Sequence, residues 1–329
     1  MIDIKNKVIL SGLQSSGSLH IGNYFGAIRQ HIELQNNNEC YYFVANYHSL
    51  TTIRDKNELK QNTLMAAVDY LALGLNPEKA ALFVQSDIPE VTELAWILST
   101  LTPMGLLERA HSFKDKIAKG ISPNHGLFAY PVLMAADILI YDSDVVPVGN
   151  DQKQHLEMTR DMAEKFNITY GDTLKLPDDL ILPEVAIVPG VDGQKMSKSY
   201  GNTIEIFTEY KSLKQKVLGI VTDSKALEEP KDPDESTVFQ LYKLFANPDE
   251  IDEMRRKYLA GGYGYGHAKK ELLEKINSYF EPHLKRREDL LQNLDYVKDV
   301  LKSGAEKARN RAIKVMERVR DACGVVTYL

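Results

Sequence analysis

Cysteine is nearly missing from this chain: Cys40 and Cys323 are the two found in 329 residues, far apart and without a C-x-x-C neighbour. A cysteine zinc site is thereby excluded and a disulfide framework is implausible, which leaves two free thiols. Long apolar runs are missing too. No stretch approaches the roughly 20 residues that a membrane helix needs. The opening MIDIKNKVIL has neither an apolar signal core nor a small-residue cleavage site. The chain therefore reads as cytoplasmic, with no membrane partner. There is no low-complexity tract, and 43% hydrophobic with 26% charged residues is ordinary for a globular protein. Positive charge is not in excess either. A formal net charge of −6 excludes a wholesale coat for nucleic acid while permitting a local basic surface.

What is present is alternation. KVILSG, CYYFVA and AALFVQ are short apolar runs separated by helical patterns, one starting near Asn23 and one from Leu59 to Leu73. Strands alternating with helices imply βαβ crossovers, hence an α/β fold with a Rossmann-like parallel sheet whose ligands bind beyond the carboxyl ends of the strands. After about Pro189 the texture changes to the Gly- and Lys-bearing VPGVDGQKMSKSYGN, the polar EEPKDPDES, and helical segments to the end. Single cores stop growing near ~250–300 residues, so two parts are expected: a catalytic domain over 1–186 and a loop plus helical domain over 187–329. In the last segment Ala308, Ala312, Val315, Val319 and Ala322 repeat at helical spacing, with Lys307, Arg311, Lys314 and Arg318 on the adjoining face. That basic stripe is either a solvated face or a phosphate contact.

Two glycine-rich stretches fail the nucleotide fingerprints they suggest. GLQSSGSL from Gly12 lacks the G-K-[ST] of a P-loop, and GGYGYGH from Gly261 places His267 where the last glycine of a dinucleotide loop belongs. SLHIGNYFGAI, Ser18 to Ile28, is more informative. It follows a strand and a glycine-bearing loop and opens a helix, whose first N–H groups and dipole favour a phosphate. His20 and Asn23, one turn apart, add side-chain donors, and Gly22 permits close approach of a base. The plainer reading is a capped helix with a surface histidine. KMSKS, Lys195 to Ser199, lies in a non-periodic stretch suited to a mobile loop that brings Lys195 and Lys198 onto a polyphosphate. Asp137 stands inside VLMAADILIY, where a buried carboxylate needs a partner because an unpaired one is costly. A ring N–H is one complement, and a helix cap or an arginine is another.

HIGN and KMSKS together resemble the paired motifs of the class I aminoacyl-tRNA synthetases. The finer resemblance, from Ser11 to the C-terminus, is to the bacterial tryptophanyl branch. It is carried by SGLQSSGSLHIGNYFGAIRQ, FVANYHSLTT, LERAHSFKDK, YPVLMAADILIYDSDVVPVGNDQKQHLEMTRDMAEKFN and KMSKS. It implies that Gln14, His20, Gly22, Asn23, Gly149, Asp151, Gln152, Lys195, Ser197 and Lys198 surround ATP, with Lys116 of FKDK reaching its phosphates. His48, Tyr130, Met134 and Asp137 would line a pocket for L-tryptophan; read from the residues alone, His48 and His155 are equally structural histidines, and it is the resemblance that places His48 in the site.

The chemistry implied is electrostatic. A free carboxylate is already nucleophilic at neutral pH, so activation needs alignment with the α-phosphate and stabilisation of pyrophosphate. His20, Asn23, Lys116, Lys195 and Lys198 would supply that, with Mg²⁺ bridging phosphate oxygens and no metal site on the protein itself. Transfer to tRNA(Trp), an anticodon-reading helical domain and a homodimer follow from the same resemblance. Three residues depart from the family pattern: Ser15 for the usual proline, Leu10 for an aromatic, and Asn150 for an acid. They bear on pocket rigidity. The rival readings are a tyrosyl-tRNA synthetase, a small nucleotidylyltransferase without the lysine loop, and a non-catalytic paralogue that binds RNA or an amino acid.

Overall fold

The structure is a computed structural model that describes residues 4–13, 17–110, 124–149, 152–181 and 188–326. Five parallel strands, β1 (Val8–Leu13), β2 (Glu39–Val44), β3 (Ala80–Val84), β4 (Val145–Val148) and β5 (Asp178–Ile181), form one sheet in the order β3-β2-β1-β4-β5. The inner strands are apolar on both faces, as parallel strands covered by helices must be. Side chains alternate: Ile9, Leu13, Cys40, Tyr42 and Leu82 enter the core on one side of the sheet. Val8, Leu10, Tyr41, Phe43 and Phe83 enter the core on the other. Leu10, where an aromatic residue is usual, is thus a core residue, 1% exposed.

Because β1 is flanked by β2 on one side and β4 on the other, the direction in which successive strands are added reverses at β1, all of them staying parallel. Such a switch point opens a crevice beyond the carboxyl ends of the strands. Everything that follows β1, β2, β3 and β4 in sequence therefore starts at one edge of the sheet.

The expected helix over Leu59 to Leu73 is Lys56–Ala72, started by the Asp55 side chain, which accepts from the N–H groups of Asn57 and Glu58 at 2.8 Å. The helical part shares a core with the sheet. One core cluster runs without a break from Ile9 and Val68 to Leu272, Phe280 and Val297. At the same junction Arg287 pairs with Asp69 at 2.6 Å. The boundary at 186/187 lies outside the described residues.

The final helix, Leu294–Cys323, lies on β3. Ala308, Ala312, Val315 and Val319 are fully buried, as their spacing suggests. Gly304 permits backbone contact: a Cβ there would stand 2.0 Å from the carbonyl oxygen of Leu82. Three residues of the basic stripe, Lys307, Arg311 and Arg318, face the chain's own groups, while Lys314 is exposed. Arg311 donates to the Tyr141 carbonyl and pairs with Glu39 at 3.3 Å, and Arg318 pairs with Asp142 at 2.7 Å. The Lys307 ammonium stands 5.7 Å from the Tyr41 ring centre. Arg311 and Arg318, offered by the sequence as candidate phosphate contacts, are docking residues here.

Gly304→Ala should lower the free energy of unfolding by about 1–3 kcal/mol, since the added methyl meets backbone that cannot rotate away. Denaturant titration measures it. A gain of about 1 kcal/mol, the effect of helix propensity alone, would show that the helix does not lie against β3.

Candidate active site

His20 does not sit inside the helix. It is the residue before the short turn Ile21–Asn23, in extended conformation, and the path continues through a π-helical turn, Tyr24–Ile28, into Arg29–Leu34. His20 and Asn23 cap each other. The Asn23 N–H donates to His20 Nδ1 at 3.3 Å, and the His20 N–H donates to Asn23 Oδ1 at 3.1 Å. Nδ1 is thus an acceptor, so the proton of the neutral ring sits on Nε2, which becomes a donor. The ring is 6% exposed. Burial first, then the nearby Lys198 charge, pushes its pKa down to about 4, with Glu205 opposing. At neutral pH the imidazole is uncharged.

The lysine loop docks here. Ile21 N–H donates to the Ile204 carbonyl at 3.0 Å and Ile206 N–H to the Leu19 carbonyl at 3.0 Å. Between these lies the Gly22 N–H, donated to Met196 Sδ at 3.4 Å. The first amides of the helix are therefore taken by the chain itself, and the expectation that they would receive a phosphate is corrected. Gly22 is also not open to a base, since a Cβ there would stand 3.0 Å from His20 Nδ1 and 3.4 Å from Met196 Cβ. What stays available for an anion is side-chain charge. Lys195 and Lys198 are exposed. A Cβ on Gly17, which holds φ at +60°, would lie 3.3 Å from Lys198 Nζ, so that ammonium sits against the loop after β1. Partial burial lowers the Lys198 pKa, and Glu205 raises it.

Asp137 is 2% exposed on the helix His125–Leu139. Its carboxylate meets His48 Nε2 at 2.8 Å and receives Gln85 Nε2 at 2.9 Å on each oxygen. Burial pushes its pKa up, and the contacts to His48 and Gln85 pull it down. Among the described residues neither a helix cap nor an arginine serves it. Gln85, 1% exposed and placed directly after β3, takes the Tyr47 N–H on its own oxygen at 2.9 Å. It was missed in the sequence, where AALFVQ shows only a strand ending in a polar residue. Carboxylate oxygens accept more than one donor each, so Asp137 keeps capacity for a further N–H.

Tyr130 and Met134, both half-buried, precede Asp137 on the same helix. The Tyr130 hydroxyl and His155 Nε2 are 2.6 Å apart, and the Tyr130 ring meets His48 edge-on at 6.3 Å. His155, left out of the site by the sequence, thus holds a proposed pocket residue. Gly149 follows β4, and its carbonyl takes the N–H of Gln152, the residue that starts the helix Lys153–Tyr170, at 2.9 Å. Ser197 precedes the helical turn Lys198–Tyr200. Gln14, Ser15, Lys116, Asn150 and Asp151 lie outside the described residues. His48 follows β2, Gln85 follows β3, Gly149 follows β4, and the His20 segment follows β1. Four strand ends therefore place these residues along the same edge of the sheet.

A family model described as tRNA synthetases class I (W and Y) matches residues 5–281. The tryptophan–tRNA ligase of Fusobacterium nucleatum is 59% identical over 318 residues, covering 96% of this chain and 98% of its own. That of Rhodopirellula baltica is 56% identical over 317 residues, covering 96% and 99%. Among solved structures, a tryptophanyl-tRNA synthetase from Campylobacter jejuni complexed with ADP and tryptophan is 50% identical and aligns with a TM-score of 0.93, over 97% of this chain and 100% of that one.

His20 gives a direct electrostatic test. Its folded pKa of about 4 lies below the unfolded 6.5, so its contribution to stability is complete above pH 6.5 and is lost as pH falls through 4. NMR should show no His20 titration between pH 5 and 8, and Lys198→Ala should move its midpoint upward. A wild-type midpoint near 6.5 would contradict the burial and the Lys198 contact.

Proposed function

We infer, from the premise that this chain belongs to the class I tRNA synthetases of the tryptophan and tyrosine branch, that it activates L-tryptophan with ATP and transfers it to tRNA(Trp). The observation that carries the choice of amino acid is the buried Asp137 carboxylate, held by His48 and Gln85 with acceptor capacity to spare. An indole N–H donates and never accepts, which matches a group that only accepts. Met134 on the same helix offers an apolar wall. A tyrosine site would instead hold polar partners for a phenol that both donates and accepts.

In the first step an oxygen of the tryptophan carboxylate forms a bond to the α-phosphorus of ATP while the bond from that phosphorus to the bridging oxygen breaks. The products are tryptophanyl-AMP and pyrophosphate. His20 donates from Nε2 as a neutral ring, which costs no positive charge in a buried place, and Asn23 holds that ring by accepting its main-chain N–H. Lys195 and Lys198, with Lys116, neutralise the leaving pyrophosphate. Gln14, Gly149, Asp151, Gln152 and Ser197 frame the nucleotide, without Gly22, whose N–H is already given to Met196. The place of Gly149 and Gln152 after β4 and of Ser197 in the lysine loop supports that assignment. Among the described residues no three His, Cys, Asp or Glu side chains gather as a metal site. Mg²⁺ would enter with the triphosphate, keeping most of its waters as that ion does. In the second step a ribose hydroxyl at the end of tRNA attacks the carbonyl carbon and AMP leaves.

The helical part reads the tRNA and the enzyme works as a homodimer in the cytoplasm. No helix among the described residues is long and apolar enough to cross a membrane.

Exchange of labelled pyrophosphate into ATP tests the reading. Tryptophan should support it and tyrosine should not. Asp137→Asn should raise KM for tryptophan by about 10- to 100-fold, the cost of mispairing one buried charged contact, with KM for ATP within about twofold. Exchange driven by tyrosine, or an unchanged KM for tryptophan, would refute it.

A further inference from the structure

The lysine loop is braced from within by a residue that the reaction chemistry does not call upon. Asn202 is 2% exposed. Its Oδ1 accepts the Ser197 N–H at 2.8 Å, and its Nδ2 donates to the Lys195 carbonyl at 3.1 Å and to Asp192 Oδ1 at 2.7 Å. Its own carbonyl accepts the Val191 N–H at 3.0 Å. One primary amide thus ties the residues on both sides of Met196, as a neighbouring strand would. Gly190 makes room for it, since a Cβ there would stand 2.4 Å from Asn202 Cγ. Met196 is the side chain that seats on Gly22. Lys195 is itself one of the two tied residues, and Lys198 follows the other, Ser197.

We propose that Asn202 is a positioning residue for the reaction: its amide sets the backbone from Lys195 to Ser197 so that Met196 docks on the His20 segment and both ammonium groups are held toward the triphosphate. This rests on the reading that Lys195 and Lys198 act on pyrophosphate. The amide is chemically specific for the place. It must donate to a carboxylate and a carbonyl and accept from an N–H, which neither an acid nor an aliphatic residue does. Loss of the brace frees the lysines to sample other positions, and a misplacement near 1 Å costs on the order of 100-fold in rate. The effect belongs in the transition state, where charge on pyrophosphate develops, and not in tryptophan binding.

Pyrophosphate exchange by the full chain tests this, with Asn202→Ala, Asn202→Asp, Asn202→Asp combined with Asp192→Asn, Lys195→Ala and Lys198→Ala. Asn202→Ala should lower kcat by roughly 30- to 100-fold while KM for tryptophan stays within twofold and the melting temperature is retained. Asn202→Asp should be as poor, because two carboxylates then face each other. Adding Asp192→Asn restores a donor between those positions and should recover at least a threefold share of the rate. Wild-type exchange by Asn202→Ala, or a parallel loss of kcat, tryptophan binding and melting temperature, overturns the inference, as does a failure of the double variant to recover. If Lys195→Ala and Lys198→Ala exchange normally, it is the underlying assignment of the lysines that fails.

Discussion

Two main-chain hydrogen bonds, from Ile21 to Ile204 and from Ile206 to Leu19, join segments that lie far apart in the sequence. They are ordinary ladder bonds, modest in net free energy, yet the rest of the site depends on them. They set Met196 against Gly22, which crowds the His20 ring, and they bring Lys198 close enough to depress the His20 pKa. The result is a neutral histidine beside a cation at the same crevice. Neither motif is a site alone.

The second constraint is the buried charge at Asp137. Desolvating a carboxylate is expensive unless its lone pairs are met. Here the partners come from the ends of two different strands, His48 after β2 and Gln85 after β3. The parallel sheet is what allows that, because all its strands finish at one edge. Gln85 is itself oriented by the Tyr47 N–H, so the loop carrying His48 and the strand end carrying Gln85 brace each other beneath the carboxylate.

Strands β1, β2 and β3 were legible because the short continuous apolar runs KVILSG, CYYFVA and AALFVQ, set between helical patterns, survive as burial on both faces of each strand. The final helix was legible for the same reason, through its apolar repeat. What covers the other face of that helix was not. Arg311 and Arg318 look alike whether they meet phosphate or Glu39 and Asp142, and the choice is made by residues far away in the chain. The reading of free amides at the start of the His20 turn failed on a similar point. A helix start in sequence shows donors, while the acceptors that consume them, Ile204 and Met196, belong to another segment. Gln85 and Asn202 passed unnoticed because a polar residue at a strand end or in a glycine-flanked loop looks like solvent-facing punctuation. Their burial exists only after the chain has closed.

The close approach of Gly304 to Leu82 ties assembly to synthesis. Strand β3 is made long before the helix Leu294–Cys323 that covers it. Until then Phe83 and its neighbours lack their cover and the nascent sheet carries a bare apolar flank, a state prone to wrong association. Non-local closure of this kind slows folding as well. The helix Leu294–Cys323 therefore acts as a late clasp, and a chain interrupted before it would be left with an open core.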